Sequence, residues 1–205
     1  MTTRKLAVVS AGLGVPSSSR LLADRLTAAV TAALRERGVT PEVEVVELRE
    51  HGHELVDAVL TGFPGGGLRQ AVDSVVGADG LIAVTPIFSA SYNGLFKLFF
   101  DSLEDSVLAG KPTLIGATGG TGRHSLALEF AVRPLFAYLR GVVVPTAVFA
   151  APEDWAGGAA GVPALTERIA RAAGELADLM TDRSAPAQVD RYEDPIPFEQ
   201  LLKGD

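Results

Sequence analysis

The chain contains no cysteine. Disulfides, thiolate metal sites, iron–sulfur clusters and redox-active thiols are therefore excluded. Aromatic residues are sparse at 6%, and histidine occurs three times, at His51, His53 and His124. No uninterrupted apolar run approaches the roughly 20 residues that cross a bilayer, so no membrane span is expected. Positive charge is in deficit: 18 Lys and Arg stand against 25 Asp and Glu, a net charge of −7. That balance argues against a general nucleic-acid binder, which needs a basic face. The opening MTTRKLAVVSAG runs straight into an apolar segment and lacks a signal peptide's long apolar stretch, so a cytoplasmic protein is expected. There is no internal repeat and no long low-complexity segment.

What is present is ordinary globular material. The 205 residues, 47% hydrophobic and 21% charged, are enough for one domain with a real core. That domain is expected over 1–182, with a polar, proline-containing tail over 183–205. The tail carries a small apolar cluster, Ile196, Phe198, Leu201 and Leu202, that could dock on it.

The organising stretch is 6–20, LAVVSAGLGVPSSSR. Leu6–Val9 reads as a buried parallel strand. A glycine loop follows, then Ser17, Ser18, Ser19 and Arg20, and apolar residues at helical spacing from Leu22 onward. Strand, glycine loop, hydroxyl cluster and helix start present backbone N–H groups and a positive dipole end to an anion. One serine suffices for a helix cap; three in succession point to a phosphate. The run Gly12-x-Gly14-x-x-Ser17 only half-matches a dinucleotide fingerprint, whose third position is glycine, with Glu47 as the corresponding ribose ligand. The glycines at 116–122 lack the Lys-Ser/Thr of a P-loop.

The remaining pattern predicts a helix over 18–37 ended by Gly38, a strand over 43–48, and a surface connection over 49–67 with a short helix near 55–60. Helices follow over 68–76 and 93–104, and strands over 80–88 and 113–117. A helix over 125–140 should kink at Pro134. An edge strand over 142–149 contains Pro145, and a last helix covers 164–180. Five strands alternating with five helices specify an α/β fold. The flavodoxin-like order, a five-stranded parallel sheet 2-1-3-4-5 in a three-layer sandwich, fits better than a six-stranded arrangement.

In such a sheet ligands bind beyond the carboxyl ends of the strands. Three of those ends are chemically unusual: 10–20, 85–94 and 117–125. In the order 2-1-3-4-5 they are adjacent. Together they make a pocket rimmed by hydroxyls and amides, suited to a flat, polar-edged ring joined to a phosphate, that is, to flavin mononucleotide (FMN). No acid–base triad is visible, and hydride transfer to a flavin needs little from a protein beyond position. His51 and His53 read as solvated loop residues.

With these residues in view, the chain resembles the NAD(P)H-dependent FMN reductases of the flavodoxin-like superfamily. The likeness spans about residues 4–180 and rests on the serine-rich loop 10–20, on TPIFSASYNGLFKLFFD over 85–101, and on ATGGTGRHS over 117–125. Phe88 stands where the family pattern carries a tyrosine. The resemblance implies that Ser10 and the Ser17, Ser18, Ser19 and Arg20 cluster hold the FMN phosphate. Pro86, Ile87, Phe88 and Ser89 would line the ribityl chain and one ring edge. Thr118, Gly119, Gly120, Thr121 and Gly122 would face the pyrimidine side, with Arg123 and His124 at the rim. It also implies NADPH or NADH as hydride source and a homodimer or homotetramer. One form of the reaction hands reduced flavin to a partner monooxygenase. Another keeps FMN bound and reduces quinones or azo compounds. An electron-carrier flavodoxin without dehydrogenase activity is the non-enzymatic competitor.

The helix over 93–104 adds an inference about assembly. At about 100° per residue its apolar residues Leu95, Phe96, Leu98, Phe99, Phe100 and Leu103 spread over an arc of roughly 200°. Packing on one sheet needs about half of that. The surplus is expected to be covered either by an isologous dimer, or by the 49–67 connection or the tail.

Overall fold

The sheet is built around β1 (Thr2–Ser10), whose last five residues are buried. The structure, a computed structural model, describes residues 2–104, 106–155 and 163–182; the 183–205 tail and its apolar cluster lie outside them. β1 pairs in parallel with β2 (Val39–Glu47) on one side and β3 (Gly80–Phe88) on the other. β3 pairs onward with β5 (Pro112–Thr118). The far edge is formed by two short segments, β6 (Val142–Val143) and β7 (Val148–Ala150), which pair with opposite ends of β5. The parallel order is thus the expected one. The last strand differs in being split, because Pro145 has no N–H to give to the ladder.

Side chains alternate along each strand and feed two cores. Leu6, Val8, Ile82, Val84 and Leu114 face α1 (Ser18–Glu36) and α6 (Pro163–Asp182). Ala7, Val9, Leu81, Ala83 and Ile115 face α2 (Gly52–Thr61), α3 (Gly66–Gly77), α4 (Gly94–Asp101) and α5 (Arg133–Tyr138). This is a three-layer sandwich. α1 buries Leu22, Leu26, Val30 and Leu34 at the i, i+4 spacing of an amphipathic helix. It ends at Gly38, which takes the left-handed conformation, φ 75°.

Three local features depart from the sequence expectations. The 49–67 connection is largely helical. α2 occupies most of it, and Glu54 ties α2 to α3 by accepting from the N–H groups of Gly67 and Leu68 at 3.1 and 3.0 Å. His51 is not a solvated loop residue, since its Nδ1 lies 2.7 Å from Glu54 Oε2. Second, the 125–140 helix does not simply kink. It runs as a wider π-turn over Leu128–Val132, with Arg133 N–H bonding to Leu128 O, before α5 starts. Pro134 cannot donate to the carbonyl one turn back, and the five-residue spacing accommodates that gap. Third, β3 turns back on itself through β4 (Ser91–Tyr92), forming a two-residue hairpin.

The apolar arc of α4 finds partners inside the chain. Phe96, Phe99 and Phe100 are fully buried, and Phe96 and Phe100 stack on Phe136 with ring centroids 6.2 and 4.9 Å apart. Leu95 and Leu98 pack against the same core, where α2 lies over α4. Of the expected covers for this helix, the 49–67 connection packs on it among the described residues.

Candidate functional site

The carboxyl ends of β1, β3 and β5 are brought side by side by register: Ser10 opposes Val84, and Pro86 opposes Thr118. Three segments leave from these ends, and two sets of buried hydrogen bonds fasten them together.

The first set centres on Asn93. Its Oδ1 accepts from Phe96 N–H at 2.9 Å and so caps α4. Its Nδ2 donates to Ala11 O, at the end of β1, at 2.7 Å. Its own N–H donates to Thr85 Oγ1 at 3.2 Å. One buried asparagine therefore joins the β1 loop, the end of β3 and the start of α4. The sequence marks Asn93 as a helix start; its longer reach to Ala11 has no sequence signal.

The second set joins the β1 loop to β5. Ser19 Oγ and Thr118 Oγ1 lie 2.7 Å apart, both buried. Ser17 caps α1 by accepting from Arg20 N–H at 3.2 Å. Ser18 is exposed and Ser17 half-buried, whereas Ser10 is buried at the end of β1. The three serines thus have three positions: Ser17 as cap, Ser18 open to solvent, Ser19 bonded across to the neighbouring loop.

Arg20 stands at the loop, but its guanidinium is engaged. Nε donates to Asp24 at 2.8 Å, and Nη1 to Glu47 at the end of β2. Asp24 and then Glu47 raise its pKa further above the ordinary arginine value. Arg49 reaches the same carboxylate, 3.0 Å from Glu47 Oε2. Two arginines and two carboxylates therefore largely cancel beside the serine loop, and the anion-attracting groups left there are hydroxyls and backbone amides.

A fit test for a phosphate is available at Gly12. A Cβ there would run into the Ser17 hydroxyl and stand 3.1 and 3.2 Å from the Cβ atoms of Ser17 and Ser19. The loop closes tightly over the serine cluster only because position 12 carries no side chain. Gly119 behaves alike, since a Cβ there would lie 2.8 Å from the Phe149 ring. The donor set of hydroxyls and backbone amides at the start of α1 fits an FMN phosphate in the first loop, and the two glycines hold the first and third loops in close contact with Ser17 and Phe149.

The second loop supplies the apolar wall. Ile87 is buried, Pro86 half-buried, and Phe88 is half exposed at the mouth. Beyond it, Ser89 and Ala90 form the hairpin tip with φ values of 48° and 67°. Both are in the left-handed region that such two-residue turns require and that Asn-Gly fills most easily. Each non-glycine residue there costs on the order of 1 kcal/mol. In the third loop Gly119 N–H donates to Ala150 O at 3.2 Å. Thr121 Oγ1 accepts from Arg123 N–H at 3.4 Å, starting the short turn Gly122–His124. Gly120, Arg123 and His124 are exposed or at the rim. Among the described residues no group of three or more His, Asp or Glu side chains could hold a metal ion.

The chain matches, over residues 4–156, the family model described as NADPH-dependent FMN reductase. It belongs to this family. FMN reductase family members are similar over most of their length. The NADH-dependent FMN reductase SfnE of Pseudomonas putida is 35% identical over 168 residues, 82% of this chain and 89% of that one. The FMN reductase (NADPH) of Pseudomonas aeruginosa is 31% identical over 180 residues, 88% and 94% of the two chains. Among solved structures, an oxidoreductase from Corynebacterium diphtheriae superposes with a TM-score of 0.84 at 48% identity, covering 90% of this chain and all of that one. The FMN reductase family sets the chemistry as oxidoreduction with FMN and a reduced nicotinamide dinucleotide. The most specific sequence piece, 85–101, leaves from the end of β3 at the pocket mouth.

Proposed function

We propose that this protein catalyses hydride transfer from NADPH or NADH to FMN, with the flavin seated across the ends of β1, β3 and β5. The observation that carries this reading is the pair of cross-loop ties, Ser19 to Thr118 and Asn93 to Ala11, which fix the three loops as one surface. FMN, when bound, supplies the ring that accepts the hydride. The chain's own groups bind and orient. The hydroxyls of Ser17 and Ser18 and the first amides of α1 take the phosphate, and Gly12, with no side chain, lets the loop close on Ser17. Ser10 and Ser19 shape the floor, and Pro86, Ile87, Phe88 and Ser89 form the wall along the ring. Thr118, Gly119, Gly120, Thr121 and Gly122 line the ring's polar edge, where charge develops on reduction; the Gly119 N–H is given to Ala150 O, so the donors there are the amides further along the loop. No acid–base side chain is required.

Arg20 contributes mainly through its carboxylate pairs, so the phosphate is held by neutral donors. Charge-assisted bonds from a free guanidinium would hold a dianion more tightly. This supports flavin as an exchanging substrate rather than a permanent group, and a monooxygenase as a fitting consumer of the reduced product. A homo-oligomer is supported by the exposed apolar residues Val56, Val59, Leu60 and Phe63 at and beside α2. No described helix is long and apolar enough to cross a membrane, which is compatible with a cytoplasmic enzyme.

The test is to mix the purified chain with FMN and follow the absorbance of NADPH and of NADH, with and without a quinone. Oxidation that depends on added FMN, and a flavin lost on dialysis, support the reading. Yellow protein with no dinucleotide oxidation indicates an electron carrier instead.

A further inference from the structure

Glu47 ends β2 at the position that pairs with Ser10, so its carboxylate stands at the sheet end where the serine loop begins. Both of its oxygens are taken by cations. Oε1 accepts from Arg20 Nη1, and Oε2 lies 3.0 Å from Arg49 Nε. Glu47 is therefore not offered to a ribose, the part that a dinucleotide fingerprint would give it. Each of the two arginines is also tied to the serine loop. Arg20 is the third residue of α1, and its N–H is capped by Ser17. Arg49 donates from Nη1 to Gly14 O at 3.5 Å. One carboxylate thus holds two guanidinium groups at the margin of this loop.

Asp24 also pairs with Arg20, at 2.8 Å, from the next turn of the same helix. The two carboxylates differ in setting: the Asp24 side chain is 51% exposed and that of Glu47 17%. An exposed pair one turn apart on a helix holds its partners weakly. A sheltered carboxylate shared between two arginines holds them more firmly. Glu47 also comes from a different element, so it draws Arg20 toward the end of β2. Arg20 stands in the first turn of α1, where free amides meet an anion, and a guanidinium there that is not bonded elsewhere is a ready phosphate ligand. We propose that Glu47 is a positioning residue that sets the affinity of the flavin site: by holding Arg20 at the end of β2 it keeps that guanidinium off the phosphate. FMN is then bound less tightly than the residues of the loop allow. The effect is confined to the phosphate, so it separates FMN from the same ring without one. This deepens the flavin-reductase reading and rests on it.

The experiment measures Kd for FMN and for riboflavin by flavin fluorescence on the full-length chain. The proteins are the wild type, Glu47→Gln, Glu47→Met, and Glu47→Gln combined with Arg20→Gln. Glu47→Gln should lower Kd for FMN roughly tenfold. Riboflavin, which carries no phosphate, should stay within about twofold. Glu47→Met removes the same charge at similar length and should act alike, so either variant that folds serves. Removing a carboxylate also favours a dianion through space, and the double variant separates the two causes: without Arg20 the gain should fall below about threefold. A Kd for FMN that is unchanged or raised overturns the proposal. A gain shared equally by riboflavin overturns it too, since that reports a change of pocket shape, and so does a gain that survives the loss of Arg20. A wild type that binds FMN but gains nothing at Glu47 defeats this inference alone. A wild type that binds no FMN defeats the flavin reading beneath it as well.

Discussion

Replacing Gly12 by alanine puts the largest demand on the first loop for the smallest chemical change. The added Cβ overlaps the Ser17 hydroxyl and stands close to the Cβ atoms of both Ser17 and Ser19. Gly12 has no positive φ, so backbone strain plays no part and the effect is steric. Ser17 must change rotamer, and its oxygen leaves the Arg20 N–H that it caps at 3.2 Å. Loss of such a cap costs about 1 kcal/mol. Ser19 is harder to move, because its hydroxyl is bonded to Thr118 in a buried position; disturbing that pair adds about 1–3 kcal/mol. A stability loss of roughly 2–4 kcal/mol follows. Flavin affinity should fall further than stability alone explains. One charged hydrogen bond to the phosphate is worth about 1.5–3 kcal/mol, which is a rise in Kd of roughly ten- to a hundredfold. Ser17→Ala serves as the comparison: it removes the cap and one phosphate donor without a clash, so about 1 kcal/mol of stability and roughly tenfold in Kd should go. Urea unfolding and a fluorescence titration with FMN, on folded protein, give both numbers. If Gly12→Ala binds FMN with wild-type affinity and unfolds at the wild-type midpoint, the serine loop is not the close-fitting phosphate cup described here.

Asn93→Ala should cost about 2–4 kcal/mol by urea unfolding, since it removes a helix cap and leaves the buried Ala11 carbonyl without its side-chain donor; FMN affinity should drop with it, and a variant as stable as the wild type would show that the three loops are not joined through this residue. Ser19→Ala strands the Thr118 hydroxyl in a buried site, so it should destabilise by about 1–3 kcal/mol, whereas Ser19→Ala with Thr118→Val, which removes both partners, should recover part of the loss in a double-mutant cycle. The Glu54 carboxyl is held below its ordinary value of 4.5 mainly by its bond to His51, and further by the N–H groups of Gly67 and Leu68. A depressed carboxylate stabilises above its unfolded-state pKa and loses that contribution as pH falls through the folded value. Glu54→Gln should therefore lower the thermal midpoint at neutral pH and flatten the acid limb below about pH 4.5; an acid limb identical to the wild type's would remove Glu54 from the account.

Backbone placement was legible in the sequence wherever periodicity and special residues agreed. β3 runs over Gly80–Phe88, where the apolar run lies, and α1 starts at the serines and stops at Gly38. Legibility failed where a local signal allowed two outcomes. The polar, glycine-rich 49–67 stretch reads as a connection, yet it folds as a helix because Leu55 and Ala58 can bury against α4 while Glu54 caps the helix that follows. That same packing covers the apolar arc of α4 in part, with Leu95 and Leu98 half-buried. Its surplus apolar arc was read correctly, but periodicity says how much surface must be covered and never which segment covers it. Pro134 marks an interruption at the right place, whereas Pro145 marks only an edge strand, which the structure splits in two. Whether a proline splits a strand in two or turns a helix into a π-turn depends on tertiary partners, here β5 for the strand and the core around Leu128 and Val132 for the helix.

The site divides along the same line. That three loops would meet at one sheet end follows from strand order, and strand order follows from the alternation of elements. How their side chains combine does not. The serine run promises three equivalent phosphate ligands, but a helix start presents successive residues about 100° apart. Only some of them can face an anion, and the one turned inward, Ser19, meets Thr118, 99 positions further along the sequence. Arg20 likewise reads as a phosphate-binding cation. It lies next to the end of β2, however, where Glu47 arrives by parallel pairing with Ser10, and it takes the carboxylate. Sequence distance hides both partners, and in each case the partner decides whether the residue is a ligand or a brace. The serine loop is consequently less charged than its sequence suggests. On the function proposed above, a loop of neutral donors would hold the phosphate by fit rather than by charge.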